Sequence, residues 1–479
     1  MSSFVGRKNE LAILNELLQR KTASFVVVKG RRRIGKSRLI EEFAKDHNYG
    51  VISGVPPCKG ITAQHQRDEF AQQMARVFAM PVVSATDWSD LFWHLAQQTQ
   101  KNRVIILLDE ISWMGSKDPG FLGKLKNAWD LHFKKNPKLI LVLCGSVSSW
   151  VEKNILSSTG FVGRIDLTLT LEELSLAECN QFWGAQKHQV SAYEKCKVLA
   201  VMGGVPRYLE LMNSKHSAEQ AIKQLCFLKE GFLFREFEQI FHDLFGRRKG
   251  AYQKILTCLI KHPQVSLPEI FALLGVPKSG VIAEYLNDLV MAGFVARDFT
   301  WSLKTGELSK LSHFRVSDNY VRFYLKYIAP NKANIERNAY ADRSLTTLPG
   351  WDAIMALQFE NLVLRNRAAL CQLLRIEPSE IVYDNPYFQR NSMKQAGCQI
   401  DYMIHTRFNC VYVCEIKFSR LPVKAQVVDE VKQKIKALSL PRNFSYRPVL
   451  IHVNGVEDEL VGTEFFAKII DFGALLEQS

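Results

Sequence analysis

Apolar positions in the first third of the chain gather in short continuous blocks. "SFVVVKG" (24–30), "RVIILLDE" (103–110) and "KLILVLCGS" (138–146) are strand-sized runs, and helical periodicity fills the stretches around them. Strands alternating with helices predict a parallel, doubly wound sheet over residues 1–170. From 171 to 245 the pattern turns helical, as in "LEELSLAECNQFW". Residues 250–300 hold three short helical segments and then a β-like run, and the polar stretch 331–350 reads as a linker. The last part, 351–479, follows the order helix, strand, strand, strand, helix, strand, helix. No run reaches the ~18 apolar residues of a membrane-spanning helix. "MSSFVGRKNE" at the start lacks the apolar core of a secretory signal, so a cytoplasmic protein is expected.

At 479 residues the chain is too long for one core and is expected to form three or so domains. With 47% hydrophobic and 23% charged residues it has the composition of a globular protein. The formal net charge of +14 changes the picture more. It is met either by an ordinary basic surface or by a phosphate-rich partner, DNA first. The ten cysteines show no CxxC pair and no zinc spacing, as expected of reduced thiols.

"GRRRIGKS" (30–37) has the spacing GxxxxGK[ST], after an apolar strand and before a helix predicted over 36–44. Gly30 and Gly35 let the backbone curl so that its N–H groups, from Arg31, Arg32, Arg33 and Ile34 through Arg38, surround phosphate oxygens. Lys36 reaches the β- and γ-phosphates of ATP, and Ser37 ligates Mg²⁺. The guanidinium groups of Arg31–Arg33 are expected to face solvent or a partner. The strand "RVIILLDE" ends in Asp109, placed to hold the Mg²⁺, and Glu110, placed to orient or deprotonate the attacking water. Ser146 ends the next strand, either sensing the γ-phosphate or capping the strand. Arg164 in "GFVGRIDL" is a candidate for neutralising transition-state charge, in its own chain or across a homo-oligomer.

"FVGRKNEL", "GRRRIGKSRL", "LLDE" and "MGGVPRYLE" (202–210), in that order, resemble the archaeal-type ATPases of the STAND branch of the AAA+ superfamily. The resemblance covers the chain to about Phe245. It implies that Phe4–Arg7 lie near the adenine and ribose. It also implies that Gly203, Gly204 and Pro206 set a helical lid (171–245) over the nucleotide.

The rhythm of residues 250–300, helix, helix, turn, helix and β-like segment, resembles a winged helix-turn-helix. That implies DNA contact through Lys278–Asn287, helped by Arg297 and Arg247–Lys249; packing without DNA is the other reading. Glu284 and Asp288 on the third helix argue against tight base reading. No chemistry is assigned to "FRVSDNYVRFYLKYIAP" (314–330).

In "CQIDYMIHTRFNCVYVCEIKFSR" (398–420) two apolar runs flank a polar turn. A tight loop centred on Phe408 sets Asp401 opposite Glu415, with Lys417 two residues on and so on the same face. Facing carboxylates repel, and a divalent cation, Mg²⁺ or Mn²⁺, turns the repulsion into a site. Lys417 then orients water or stabilises charge on a scissile phosphate. The D…ExK arrangement resembles the PD-(D/E)xK nuclease superfamily. That resemblance implies a third acid, Glu360 in "ALQFENLVL", while Lys432 and Lys436 suit a nucleic-acid backbone.

The expected architecture is therefore multidomain α/β. It comprises a P-loop ATPase core (1–170), a helical lid (171–245), a winged helix-turn-helix (246–330), a linker (331–350) and a restriction-endonuclease-like domain (351–479). The expected function is an ATP-hydrolysing switch coupled to a metal-dependent DNA nuclease. Its competitor is a nucleotide-controlled DNA-binding or signalling protein whose nuclease-like domain serves only for docking.

Overall fold

The computed structural model describes residues 4–477 apart from Pro57, Lys59, Val147, residues 392–395 and Ser439; for Ser148, Arg247 and Leu311 it describes the backbone alone. The chain divides into two compact units, Met1–Leu174 with His242–Gly246, and Ser175–Phe241 with Arg247–Ser479. Among the described residues, the named strands form three sheets.

The first unit is built on β1 (Ser24–Gly30), β2 (Asn48–Ser53), β3 (Val104–Asp109), β4 (Leu139–Gly145) and β5 (Leu167–Leu171). They lie in the order β2-β3-β4-β1-β5, every pair parallel. Strands covered on both faces must be apolar on both faces, which is why these read as continuous runs. On β1, Phe25 and Val27 enter one core with Trp88, Phe92, Phe121 and Trp129. Val26 and Val28 enter the other, with Ile34, Leu39 and Ile40. The helix Lys36–Ala44 follows β1 as the sequence predicts. Gly30 has φ +153°, and a Cβ there would stand 2.6 Å from the Leu171 carbonyl oxygen on β5.

The second unit opens with helices, including Ala192–Met202 and Pro206–Glu210. Then come the helices Lys249–Lys261, Leu267–Leu274 and Gly280–Met291. With them stands a small antiparallel sheet of β6 (Val265–Ser266), β7 (Val295–Trp301) and β8 (Leu308–Val316), ordered β6-β8-β7. Ser266 donates from its N–H and its hydroxyl to Glu269 at 2.7 and 2.6 Å, fixing the start of one helix. Gly275 ends that helix in the left-handed conformation.

The polar stretch 331–350 is not a free tether. Ile335, Tyr340 and Leu345 are buried, and Tyr340 packs 5.0 Å from the Phe227 ring. These anchors recur at intervals of five, which fits neither a helix nor a strand, so the apolar face is invisible to periodicity.

The helix Trp351–Arg365 leads into a mixed sheet of β9 (Ile381–Gln389), β10 (Cys398–Thr406), β11 (Cys410–Ile416), β12 (Ser445–His452) and β13 (Lys468–Asp471), in the order β13-β12-β11-β10-β9. The helix Val427–Ala437 joins β11 to its parallel neighbour β12.

Candidate functional site

Two clusters of chemically able side chains emerge, one in each unit. In the first, the turn after β1 brings Lys36 and Ser37 to the start of their helix, with Arg33 and Gly35 at positive φ shaping the curl. The Lys36 ammonium is buried and donates to the carbonyls of Gly30 and Arg31 at 3.0 and 3.1 Å. Burial pushes its pKa below the ordinary value, opposed by the charge of Glu110. An ammonium held by carbonyls in a dry site is placed to receive an anion.

Ser37 Oγ donates to Asp109 Oδ2 at 2.6 Å, so the two candidate Mg²⁺ ligands already touch across β1 and β3. Glu110 sits in the left-handed conformation, φ 48°, directly after β3. Its carboxylate accepts from Ser146 Oγ at 2.8 and 3.1 Å, so the end of β4 orients the end of β3. Arg7, at φ 60°, reaches the Ile34 carbonyl at 3.2 Å and so braces the phosphate loop itself.

Two side-chain expectations are corrected here. Arg31 does not face solvent; it is buried and paired with Glu173 at 3.0 Å, just beyond β5. Arg32 pairs with Asp243. The curl that aims backbone N–H groups at the phosphate position turns these side chains toward the rest of the unit. Arg38 lies at the surface beside Glu41. Arg164 forks onto Asp130 at 2.8–3.1 Å, and that pair holds the Asp130 carboxyl well below the usual range. Pro206 follows Gly203 and Gly204 into the helix Pro206–Glu210 of the second unit.

In the second unit, β10 pairs with β11 in the register a Phe408-centred loop requires, Tyr402 with Cys414 and Met403 with Val413. One residue further, Asp401 and Glu415 face each other. Val411 and Val413, on the same face, are buried in the core together with Val427 and Val431. Lys417 Nζ lies 3.0 Å from Glu415 Oε1 and 2.7 Å from Glu430 Oε2.

Lys434, which sequence reasoning passed over in favour of Lys432 and Lys436, projects inward. Its ammonium lies 2.5 Å from Glu415 Oε2 and 3.5 Å from Asp401 Oδ1. The signal was present: Lys434 continues the inward face set by Val427 and Val431.

Glu360 belongs to the same electrostatic neighbourhood. Burial and the charge of Asp401 push its pKa up to about 7, against the pull of Arg322 and Arg315. Burial and Glu415 push Asp401 up to about 6, against the pull of Lys434. The donor chemistry, hard carboxylate oxygens whose mutual repulsion is incompletely offset, suits Mg²⁺ or Mn²⁺. Even so, among the described residues no group of three or more His, Cys, Asp or Glu side chains is arranged to hold a metal ion. The Lys434 ammonium stands between the two acids, 2.5 Å from Glu415 and 3.5 Å from Asp401.

The helix bearing Glu360 is tied down by a buried polar network from "FRVSDNYVRFY". Arg315 donates to Asp298 at 2.6 Å and to Asn361 at 2.5 Å. Asn361 donates to Asn319 Oδ1 at 3.0 Å. Asn319 donates to the carbonyls of Gln358 at 3.1 Å and of Leu199 at 3.4 Å. Next to Lys417, the Phe418 ring stacks on Tyr193 and meets Phe359, each at 5.0 Å.

The β7–β8 hairpin is pinned to β9: Tyr383 donates to the Gly306 carbonyl at 2.8 Å and Tyr387 to that of Trp301 at 3.2 Å. Arg297, expected to help with DNA, instead lies over the Phe299 ring and donates to Ser312. Lys278, Glu284 and Asn287 are exposed, and the side chain of Arg247 lies outside the described residues.

Comparison with known proteins fixes the class of the first cluster. Residues 4–212 match the family described as an ATPase domain predominantly from Archaea. That stretch is an archaeal-type P-loop ATPase domain. A protein of Methanocaldococcus jannaschii, described as uncharacterized, is 26% identical over 341 residues, 70% of this chain and 71% of that one. The Walker-type ATPase of Pyrococcus abyssi aligns with a TM-score of 0.52 and 16% identity over 67% of this chain and 96% of that one, a likeness of fold. The ORC2 protein of Aeropyrum pernix aligns at 14% identity and a TM-score of 0.42, covering 70% and 95% of the two chains. No helix among the described residues is long and apolar enough to cross a membrane.

Proposed function

We propose that the chain is an ATP-hydrolysing switch coupled to a divalent-cation-dependent DNA nuclease. In the first unit Lys36 and the loop N–H groups hold the triphosphate, Ser37 and Asp109 hold Mg²⁺, and Glu110, oriented by Ser146, positions the attacking water. In the second unit Asp401 and Glu415, joined by Glu360, would hold Mg²⁺ or Mn²⁺ only once Lys434 gives way, and that ion would supply Lewis acidity at the scissile phosphate. Lys417 positions water and offsets the negative charge that builds on the oxygens of the scissile phosphate.

The observation that carries the nuclease reading is the assembly of Asp401, Glu415 and Lys417 on one sheet face, with Glu360 near enough to feel their charge. Coupling is supported by the helix Ala192–Met202, part of the ATPase-matched stretch. It touches the Lys417 segment through Tyr193 and the Glu360 helix through the Leu199 carbonyl and Asn319. The formal net charge of +14 favours DNA as the partner.

The test is plasmid nicking in Mg²⁺, Mn²⁺ or EDTA, with and without ATP, alongside phosphate release. Lys417→Ala should abolish nicking and spare ATP hydrolysis; Lys36→Ala should abolish hydrolysis. One observation favours the docking alternative: the acids of the second cluster are already neutralised by lysines of the chain. DNA retention without cutting under every cation would decide for it.

A further inference from the structure

We infer that Lys434 is a tethered counter-ion standing in the divalent-cation position between Asp401 and Glu415, so that metal entry and lysine departure are a single exchange. The inference rests on the reading of this cluster as a cation site. All four oxygens of the facing acids already have a partner from the chain. Glu415 Oε1 faces Lys417 at 3.0 Å, and Asp401 Oδ2 accepts the Ile416 N–H at 2.9 Å. The remaining two, Glu415 Oε2 and Asp401 Oδ1, point at one positive centre, the Lys434 ammonium.

A cation bridging one oxygen from each acid is what a divalent ion would supply. Here it is supplied by a side chain nineteen residues away in the fold's next helix. The Glu415 side chain is only 5% exposed, so leaving it without any counter-charge would be costly. Lys434 is itself 28% exposed, and its flexible stem can carry the ammonium out to water when a doubly charged ion takes over. Metal affinity is therefore set by the competition between the two cations, and Lys434 is a determinant of occupancy separate from Lys417.

The test titrates Mn²⁺ into the full-length protein without nucleotide, following free Mn²⁺ by electron paramagnetic resonance. Glu415→Gln defines the binding that belongs elsewhere. Lys434→Met, which keeps length and volume, should bind Mn²⁺ at least tenfold more tightly than wild type in the Glu415-dependent phase, and Lys434→Arg should not. Equal or weaker binding by Lys434→Met, with a Glu415-dependent phase intact in wild type, overturns the counter-ion role and leaves the cation site standing. Absence of a Glu415-dependent phase in both proteins overturns the cation site and this inference together. Circular dichroism of each variant separates loss of folding from loss of binding.

Discussion

The two clusters are electrostatic opposites. The phosphate loop buries a cation, Lys36, and meets it with carbonyl oxygens at hydrogen-bond distance while the carboxylates of Glu110 and Asp109 act on it through their charge. The acidic cluster buries carboxylates and supplies lysines to meet them. The first is a backbone cradle shaped before its ligand arrives, because curl and helix start are local consequences of eight consecutive residues. The second is assembled from side chains on four separate elements and offsets much of its own charge with lysines in the absence of a ligand. A site of the first kind is ready to bind; a site of the second kind must exchange something to bind.

The largest effect that tests this contrast is at Glu110. Glu110→Gln keeps the Ser146 contact and the cradle but removes the carboxylate proposed to position the attacking water. ATP hydrolysis should fall on the order of a thousandfold while nucleotide binding persists. Phosphate release and a fluorescent-nucleotide titration, run together, check this; a parallel loss of binding would mean that the cradle depends on this charge.

A smaller effect is expected from Arg315→Ala, which strands Asp298 in the buried network behind Glu360. Chemical denaturation should show a loss of about 3–5 kcal/mol. A loss below about 1 kcal/mol would mean the acidic cluster is not braced from behind.

The smallest effect is in pH. Glu360 and Asp401 carry raised pKa values, so between about pH 4.5 and 7 the folded protein binds more protons than the unfolded chain. Their contribution to stability is therefore greatest at the acid end and is lost as pH rises through the folded values. Without divalent metal, wild type should lose about 1–2 kcal/mol more between pH 5 and 7.5 than Glu360→Gln/Asp401→Asn. Identical pH profiles for the two proteins would mean that lysines neutralise the acids completely.

How much could be read from the chain follows the same division. The strand, loop and helix of the phosphate site were legible because a contiguous motif fixes its own geometry. The β10–β11 register was legible because a short turn leaves one pairing that buries Val411 and Val413 together. The role of Lys434 is not legible in the sequence because its partners lie on strands that precede its helix, while its neighbours Lys432 and Lys436 are the exposed lysines of that helix. Arg31 was misplaced because its partner, Glu173, comes into range only when β5 lies beside β1. The network of Arg315, Asn319 and Asn361 leaves no trace in periodicity, since buried polar residues interrupt an apolar pattern without saying what they bond to.

Gly30 carries one more consequence. An obstacle to a larger residue there is the Leu171 carbonyl of an adjoining strand, which is in place without a nucleotide. Alanine at that position should therefore injure the protein in the absence of any triphosphate, as a melting-temperature drop in nucleotide-free buffer. The close approach of β5 thus adds a constraint from outside the motif to a bend whose curl the motif itself sets.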